Sequence, residues 1–316
     1  KKKGIALLLL LAVAFTACGT EGTEKDRTKD KLTVVTSFYP VYLLAQEVVQ
    51  GAKNIELENM AQPQTGCLHD YELSVSDMRL LEQADVFIIN GGGMESFLEQ
   101  ALERYPNLVV VDTSEGISLL EEEAHHHADA QEEEEDAHEH GHTHEGNAHI
   151  WLSPERAAMQ AAHISAALSG LDEADAAVFA RNTAEFEQET AALLQEARQI
   201  SLPQGTPTAV FHEGFAYFAE LFEMETIFGV FIDEYQIPSA KELTEAAEEA
   251  KTHDIQFFLT AADDGRTYAE TLAGETGEAV TVLDPLTTAA EGNPSYTERM
   301  RRNIETIAQH WREVTE

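Results

Sequence analysis

The stretch Leu32-Thr-Val-Val-Thr-Ser37-Phe-Tyr-Pro40-Val-Tyr-Leu-Leu-Ala-Gln-Glu-Val-Val49 decides the architecture. Its first six residues form a β-branched apolar run of strand length. From Val41 to Val49 the apolar residues recur at helical spacing behind Pro40, whose fixed φ suits a first helical turn. The same strand-then-helix pattern continues along the chain. Ile55-Glu-Leu57 is a short strand leading into an irregular segment, Met60 to Leu73. Ser74 is an N-cap with Asp77 at the third helical position, which predicts a helix to Gln83. Val86-Phe-Ile-Ile89 is a buried strand, Gly91-Gly-Gly93 the turn after it, Met94 to Arg104 a helix and Leu108-Val-Val-Val111 another strand. Strands separated by helices must pair through crossovers, so the sheet is mostly parallel.

Ser153-Pro154 then caps a pair of long helical stretches, Glu155 to Leu168 and Glu173 to Ile200. At ~1.5 Å per residue the second reaches about 42 Å, enough to bridge two lobes. After Pro207 the alternation restarts. Thr208-Ala-Val-Phe211 is a strand ending at His212, Phe215 to Phe222 a helix and Thr226 to Ile232 a strand. Ser239-Ala-Lys-Glu242 is a capping box opening a helix to His253. Ile255 to Leu259 and Val280 to Leu283 are further strands, the latter ending at Asp284, and Tyr296 to Glu313 is a closing helix. The expected fold is α/β, with two lobes of mostly parallel sheet joined by a long helix. Ligands of such sheets sit beyond the carboxyl ends of the strands. The lobes are placed at 32–152 and 201–316, with a helical linker at 153–200.

The N-terminus has the form of an export signal. Lys1-Lys-Lys-Gly precedes the eleven apolar residues Ile5 to Phe15, then Thr16-Ala17-Cys18-Gly19. Eleven helical residues cover about half of a ~30 Å hydrocarbon layer, too little for a permanent span. Small residues before a cysteine resemble a bacterial lipobox, so residues 1–17 are expected to be a signal peptide, Cys18 the lipidated residue and 18–31 a tether. Cys67 is then left without an internal disulfide partner. A formal net charge of −38 repels phosphates and excludes nucleic acid as a partner.

Between Arg104 and Arg156 there is no lysine or arginine, and the interval carries a dense acidic run. It contains His125, His126, His127, His138, His140, His142 and His144, seven of the chain's 13 histidines. Such a tract cannot build an apolar core and is expected to be a loop, over 121–148. Neutral imidazoles suit zinc, copper and nickel, and the carboxylates attract any cation. These seven are auxiliary, weak metal-capturing residues.

Six histidines lie elsewhere. His163, His253 and His310 fall within or at the end of helices, with no second ligand type one turn away, and are expected to be solvated. His69 sits in the irregular segment, His149 directly before the Ser153 cap, His212 at a strand end, and Asp284 at another.

Four blocks carry a resemblance. Gln64-Thr-Gly-Cys-Leu-His69-Asp-Tyr71-Glu72-Leu-Ser-Val-Ser-Asp77, with Leu81 to Gly91, resembles the first metal-site block of bacterial zinc/manganese ABC-transporter substrate-binding lipoproteins. His149-Ile-Trp-Leu-Ser-Pro154 resembles their second block, Phe211-His212-Glu-Gly-Phe-Ala-Tyr-Phe218 their third and Leu283-Asp284-Pro-Leu286 their fourth. The resemblance spans nearly the whole chain after residue 31. It implies two lobes joined by one long rigid helix, with one metal in the cleft held by His69, His149, His212 and, as fourth donor, Asp284. It also implies an extracytoplasmic, membrane-anchored monomer that hands its metal to an ABC permease with its ATPase. Family members often have Asp-Pro before the first histidine where this chain has Cys67-Leu68. A thiolate from Cys67 would strain the backbone beside His69, and a buried inert thiol is the simpler reading.

Three imidazoles and one carboxylate fill the tetrahedral shell zinc prefers and leave a net charge of about +1. Manganese-type relatives carry a glutamate as third donor. Here His212 stands in that place, which favours Zn2+ over Mn2+, although Glu213 follows. Three histidines with an open fourth position also describe a zinc hydrolase. However, His212-Glu-Gly-Phe-Ala216 lacks the second histidine of a His-Glu-x-x-His helix. A metal buffer without a transporter would use the histidine-rich tract but leave the two-lobe site without a purpose. The expectation is a receptor, not an enzyme.

Overall fold

The computed structural model describes residues 31–62, 68, 71–121, 146–230, 239–262 and 265–315. The signal segment, Cys18, Cys67, His69 and the seven clustered histidines lie outside the described residues.

The first half builds β1 (Leu32–Thr36), α1 (Tyr39–Val49), β2 (Ile55–Asn59), α2 (Val75–Gln83), β3 (Val86–Ile89), α3 (Glu99–Leu102) and β4 (Val109–Asp112). Its strands pair in the order β2-β1-β3-β4, every pair parallel. Helices α4 (Pro154–Leu171) and α5 (Ala176–Arg198) follow. The second half builds β5 (Pro207–Val210), α6 (Ala216–Leu221), β6 (Glu225–Gly229), α7 (Ala240–Thr252), β7 (Phe257–Thr260), α8 (Arg266–Thr276), β8 (Val280–Val282) and α9 (Tyr296–Thr315). Its order, β6-β5-β7-β8, repeats the first sheet strand for strand, again parallel. Alternation in the sequence therefore predicts the sheet type correctly. In each sheet the first strand is central and the chain reverses its direction of travel beside it, which creates a switch point between β1 and β3 and between β5 and β7.

Local chemistry accounts for the helix starts. The Ser74 hydroxyl accepts from Asp77 N–H while the Asp77 carboxylate takes Ser74 N–H, and Ser239 with Glu242 does the same for α7. Ser153 caps α4, with Pro154 at its first position. The expected helix from Met94 to Arg104 is instead a 3-10 turn, Ser96–Leu98, followed by one turn of α3. Helix α8 was not anticipated from the sequence.

Helix α5, 23 residues and about 35 Å long, runs along both halves. It buries Phe179, Asn182, Phe186 and Leu193 on one stripe. Near its start, Asp175 accepts Lys53 N–H at 2.7 Å and Asn54 N–H at 2.8 Å. Asn182 donates to the carbonyls of Val48 at 2.9 Å and Gln50 at 2.8 Å, satisfying acceptors that the end of α1 leaves open. Further along, Phe186 meets the Tyr296 ring of α9 edge-on at 5.3 Å, and Arg301 pairs with Glu196 at 3.0 Å. One apolar cluster runs without a break from Val34 and Leu44 through Trp151 and Phe186 to Val210, Leu259 and Ile307. Among the described residues no helix is long and apolar enough to cross a membrane.

Two of the three helix histidines depart from the expected solvated state. His310 is 7% exposed, between the Thr281 hydroxyl and the Gln256 carbonyl, with its ring 4.6 Å from that of Phe257. His163 is half-buried on the Thr113 carbonyl. Only His253, following α7, is exposed.

Candidate metal centre

His149 and His212 come from opposite halves and meet with ring centroids 5.1 Å apart at 76°, edge to face. Both are buried, at 1% and 7% exposure. His212 follows β5 directly, at the carboxyl end of that strand and beside the second switch point. His149 precedes the 3-10 turn Ile150–Leu152, which leads into the Ser153 cap of α4. Its place is set by Trp151. The Trp151 ring lies 5.2 Å from Phe38 and 5.0 Å from His149, Nε1 donates to the Pro285 carbonyl at 2.9 Å, and its own carbonyl accepts from Tyr296 Oη at 2.7 Å.

Around His149 the polar groups are specific. Asn147 Oδ1 accepts His149 N–H at 3.0 Å and lies 3.0 Å from Nδ1. The amide's Nδ2 donates to the Glu213 carbonyl at 2.9 Å, which leaves Oδ1 as a pure acceptor. His149 therefore carries its proton on Nδ1 and presents a lone pair on Nε2. His212 is the reverse, because its Nδ1 accepts Gly214 N–H at 3.1 Å and a neutral ring then holds its proton on Nε2. Binding an ion through Nε2 of His212 would require that proton to move to Nδ1, which then gives up the bond from Gly214 N–H. The Glu213 carboxylate stands 3.8 Å from His149 Nδ1.

Close packing holds the two halves of the centre together. A Cβ on Gly214 would lie 2.6 Å from Leu152 Cδ1 and 2.9 Å from His149 Cβ, so only glycine lets His149 lie against the His212 turn. Tyr217, fully buried, donates to the Asn147 carbonyl at 2.6 Å and accepts Leu120 N–H at 3.2 Å. Arg156 stacks on the Tyr217 ring at 4.7 Å and bonds Glu220 and the Ser118 carbonyl.

At the first switch point lies Glu95. Its carboxylate accepts the Ser37 hydroxyl at 2.7 Å, Asn90 N–H at 2.8 Å and Gly91 N–H at 3.0 Å. Burial pushes its pKa up from 4.5 to about 7 against the pull of those three donors. Asn90 in turn donates to the Ala148 carbonyl at 2.9 Å and accepts from Gln160 at 3.0 Å, which ties Glu95 to the ligand segment.

Of the four residues that the family resemblance nominates, His149 and His212 are brought together, and His69 lies outside the described residues. Asp284 is held by Arg299, with Nε to Oδ2 at 2.7 Å and Nη2 to Oδ1 at 2.6 Å, and Oδ1 also accepts Leu286 N–H. Among the described residues no group of three or more histidine, cysteine, aspartate or glutamate side chains could hold an ion alone. The centroid spacing of the histidine pair, 5.1 Å, matches that of two imidazoles on one ion. Two imidazoles bound at Zn–N ~2.1 Å with a tetrahedral angle place their centroids about 5.2 Å apart. Asn147, Gly214, Tyr217 and Glu95 escaped the sequence reading. For Asn147 a local signal existed, since Asn side chains habitually bond the backbone two residues on.

Two matching parallel sheets with a pair of imidazoles meeting between them describe a two-lobed α/β protein with a candidate metal site. The chain belongs to the family of zinc-uptake complex component A, periplasmic (ZnuA), whose model matches residues 34–310. It is 28% identical over 98% of its length to the zinc-binding lipoprotein AdcA of Streptococcus pneumoniae, and spans 61% of that relative. It is 26% identical to the high-affinity zinc uptake system protein ZnuA of Bacillus subtilis, covering 97% of each chain. A crystal structure of ZnuA superposes with a TM-score of 0.71 at 26% identity, over 89% of this chain and 99% of that one.

Two consequences are measurable. Because the fold raises the Glu95 pKa, the folded state binds that proton more tightly, and its contribution to stability declines as pH rises from 4.5 to about 7. The difference amounts to about 3 kcal/mol when complete. Glu95→Gln should flatten the fall in unfolding free energy between pH 5 and pH 8 relative to wild type, and parallel curves would refute the assignment. Gly214→Ala should cost about 1–3 kcal/mol through overpacking and displace the His149 ring resonances. A variant with wild-type stability and an unmoved His149 would show that the contact is slack.

Proposed function

We propose that this chain is the extracytoplasmic receptor of a metal-uptake ABC system, capturing Zn2+ and delivering it to a permease powered by a cytoplasmic ATPase. The observation that carries the reading is the convergence of His149 and His212 from separate halves at the spacing one tetrahedral ion requires. Family membership and the zinc-binding names of the relatives support it. In this reading His69, in the segment after β2, supplies the third imidazole. Asp284 is the fourth donor, sharing its oxygens with Arg299. Binding is then non-catalytic, with all four positions filled. The receptor acts as a monomer, anchored to the membrane through a lipid on Cys18, and the histidines between His125 and His144 gather metal weakly around it.

A manganese-binding receptor of the same family is the second reading. It is favoured by Glu213, a harder donor than imidazole, which directly follows His212.

Titration of the soluble chain followed by native mass spectrometry should give one tight zinc and several weak ones. Zinc at a thousand-fold excess over its Kd should raise stability by about 4 kcal/mol. His149→Ala or His212→Ala should remove most of that gain and leave a folded apo protein, while Asp284→Ala costs less because water can take a vacant position. His212→Glu should shift preference towards manganese. Tight manganese binding with no zinc preference in the wild type would overturn the zinc reading, and unchanged zinc affinity in both His212 variants would remove His212 from the ligands. Separately, deletion of residues 121–145 should abolish only the weak zinc equivalents. Loss of the tight site on deletion would mean that the tract supplies a primary ligand.

A further inference from the structure

The side chain of Asn147 makes contacts that neither metal binding alone nor chain connectivity demands. Its Oδ1 takes two donors from one residue, the N–H and the Nδ1 of His149, both at 3.0 Å. Its Nδ2 crosses to the other half and donates to the carbonyl of Glu213, the residue after His212, at 2.9 Å. Its backbone is equally committed. Asn147 N–H donates to the Leu120 carbonyl at 2.8 Å, and its carbonyl accepts the buried Tyr217 hydroxyl at 2.6 Å. The residue is 2% exposed, so water offers little competition for these bonds.

We propose that Asn147 is the positioning residue of the metal centre: one amide selects the His149 tautomer that points a lone pair at the ion and fixes the His212 turn at ligand distance. The assignment rests on the zinc reading above for what the centre holds, but the hydrogen bonds exist without it. An imidazole in water populates both neutral tautomers, and only the one protonated on Nδ1 leaves Nε2 free to bind. An acceptor fixed at Nδ1 removes the wrong tautomer before the ion arrives and raises the basicity of the nitrogen that binds it. The Nδ2 arm acts on geometry. It links the segment bearing His149 to the segment bearing His212 by a direct bond, so the two rings meet at a spacing that neither half sets alone. A carboxamide can perform both tasks because it carries an acceptor and a donor on one rigid plane. A carboxylate keeps the first and loses the second, and a leucine of similar shape loses both.

That difference supplies the test, which uses the soluble chain and three readouts: zinc affinity by competition, nitrogen-15 NMR of the His149 ring in the metal-free state, and thermal unfolding. Wild type should show His149 protonated on Nδ1. Asn147→Leu should weaken zinc binding by about ten- to a hundred-fold and give a mixed His149 tautomer, while Asn147→Asp should restore the Nδ1 proton and recover at least about half of the lost affinity on a logarithmic scale. Three results would overturn the inference: a wild-type His149 protonated on Nε2, an Asn147→Leu protein binding zinc within about twofold of wild type, or an Asn147→Asp protein as weak as Asn147→Leu. If Asn147→Leu does not fold, the wild-type tautomer and the Asp variant still decide. Failure of the wild type to bind zinc would remove the zinc reading while the tautomer measurement still judged Asn147.

Discussion

The burial of Trp151 is the constraint on which the rest of the molecule depends. Its indole lies 1% exposed, against Phe38 from the first half and bonded to Pro285 and Tyr296 from the second. A tryptophan of this kind removes about 150–250 Å2 from water, worth about 4–6 kcal/mol at ~25 cal/mol/Å2. No single lobe supplies the partners that satisfy it. With Trp151 seated, Ile150 and Leu152 are buried on either side and α4 starts at Pro154. His149 is thereby delivered to the seam in one orientation. Trp151 thereby joins the first half to the second at the place where His149 meets His212.

Charge is distributed around this seam in a way that the bulk composition conceals. The chain is heavily acidic overall, with 58 aspartates and glutamates against 20 lysines and arginines. Several of the described carboxylates nevertheless have defined partners of their own. Asp284 faces a guanidinium, Glu220 faces Arg156, and Glu95 is enclosed by three donors with its proton held more firmly than usual.

The fold was legible where one residue type determines one outcome. Ser74 with Asp77 and Ser239 with Glu242 announced their helices, and alternating apolar runs announced parallel sheets. Helix α8 was missed because its buried stripe is only Ala269, Leu272 and Ala273, a weak apolar signal among threonines and glutamates. Its ends are set by Gly265 and Gly277 at φ 71° and 89°, yet a parallel β7–β8 pair cannot exist without such a crossover. His310 extends the buried stripe of Met300, Asn303 and Ile307, and that spacing was a readable warning against solvation. Glu95 was not readable at all. One glutamate among many acquires its role from Ser37, 58 positions away. In the centre itself, His149 and His212 were nominated by motif, whereas the bond from Asn147 to Glu213 depends on two halves meeting and has no counterpart in local sequence.

The unbroken core running from Val34 to Ile307 has a thermodynamic consequence. A protein whose halves had separate cores could melt in two steps, and a ligand between them would protect each half only through their contact. Here one large apolar cluster packs against both sheets, beside a smaller one within each half, so disruption of the shared cluster is felt on both sides of the seam. Affinity and fold stability are consequently not independent quantities in this molecule. A substitution that loosens the packing around Trp151 therefore acts on both halves at once.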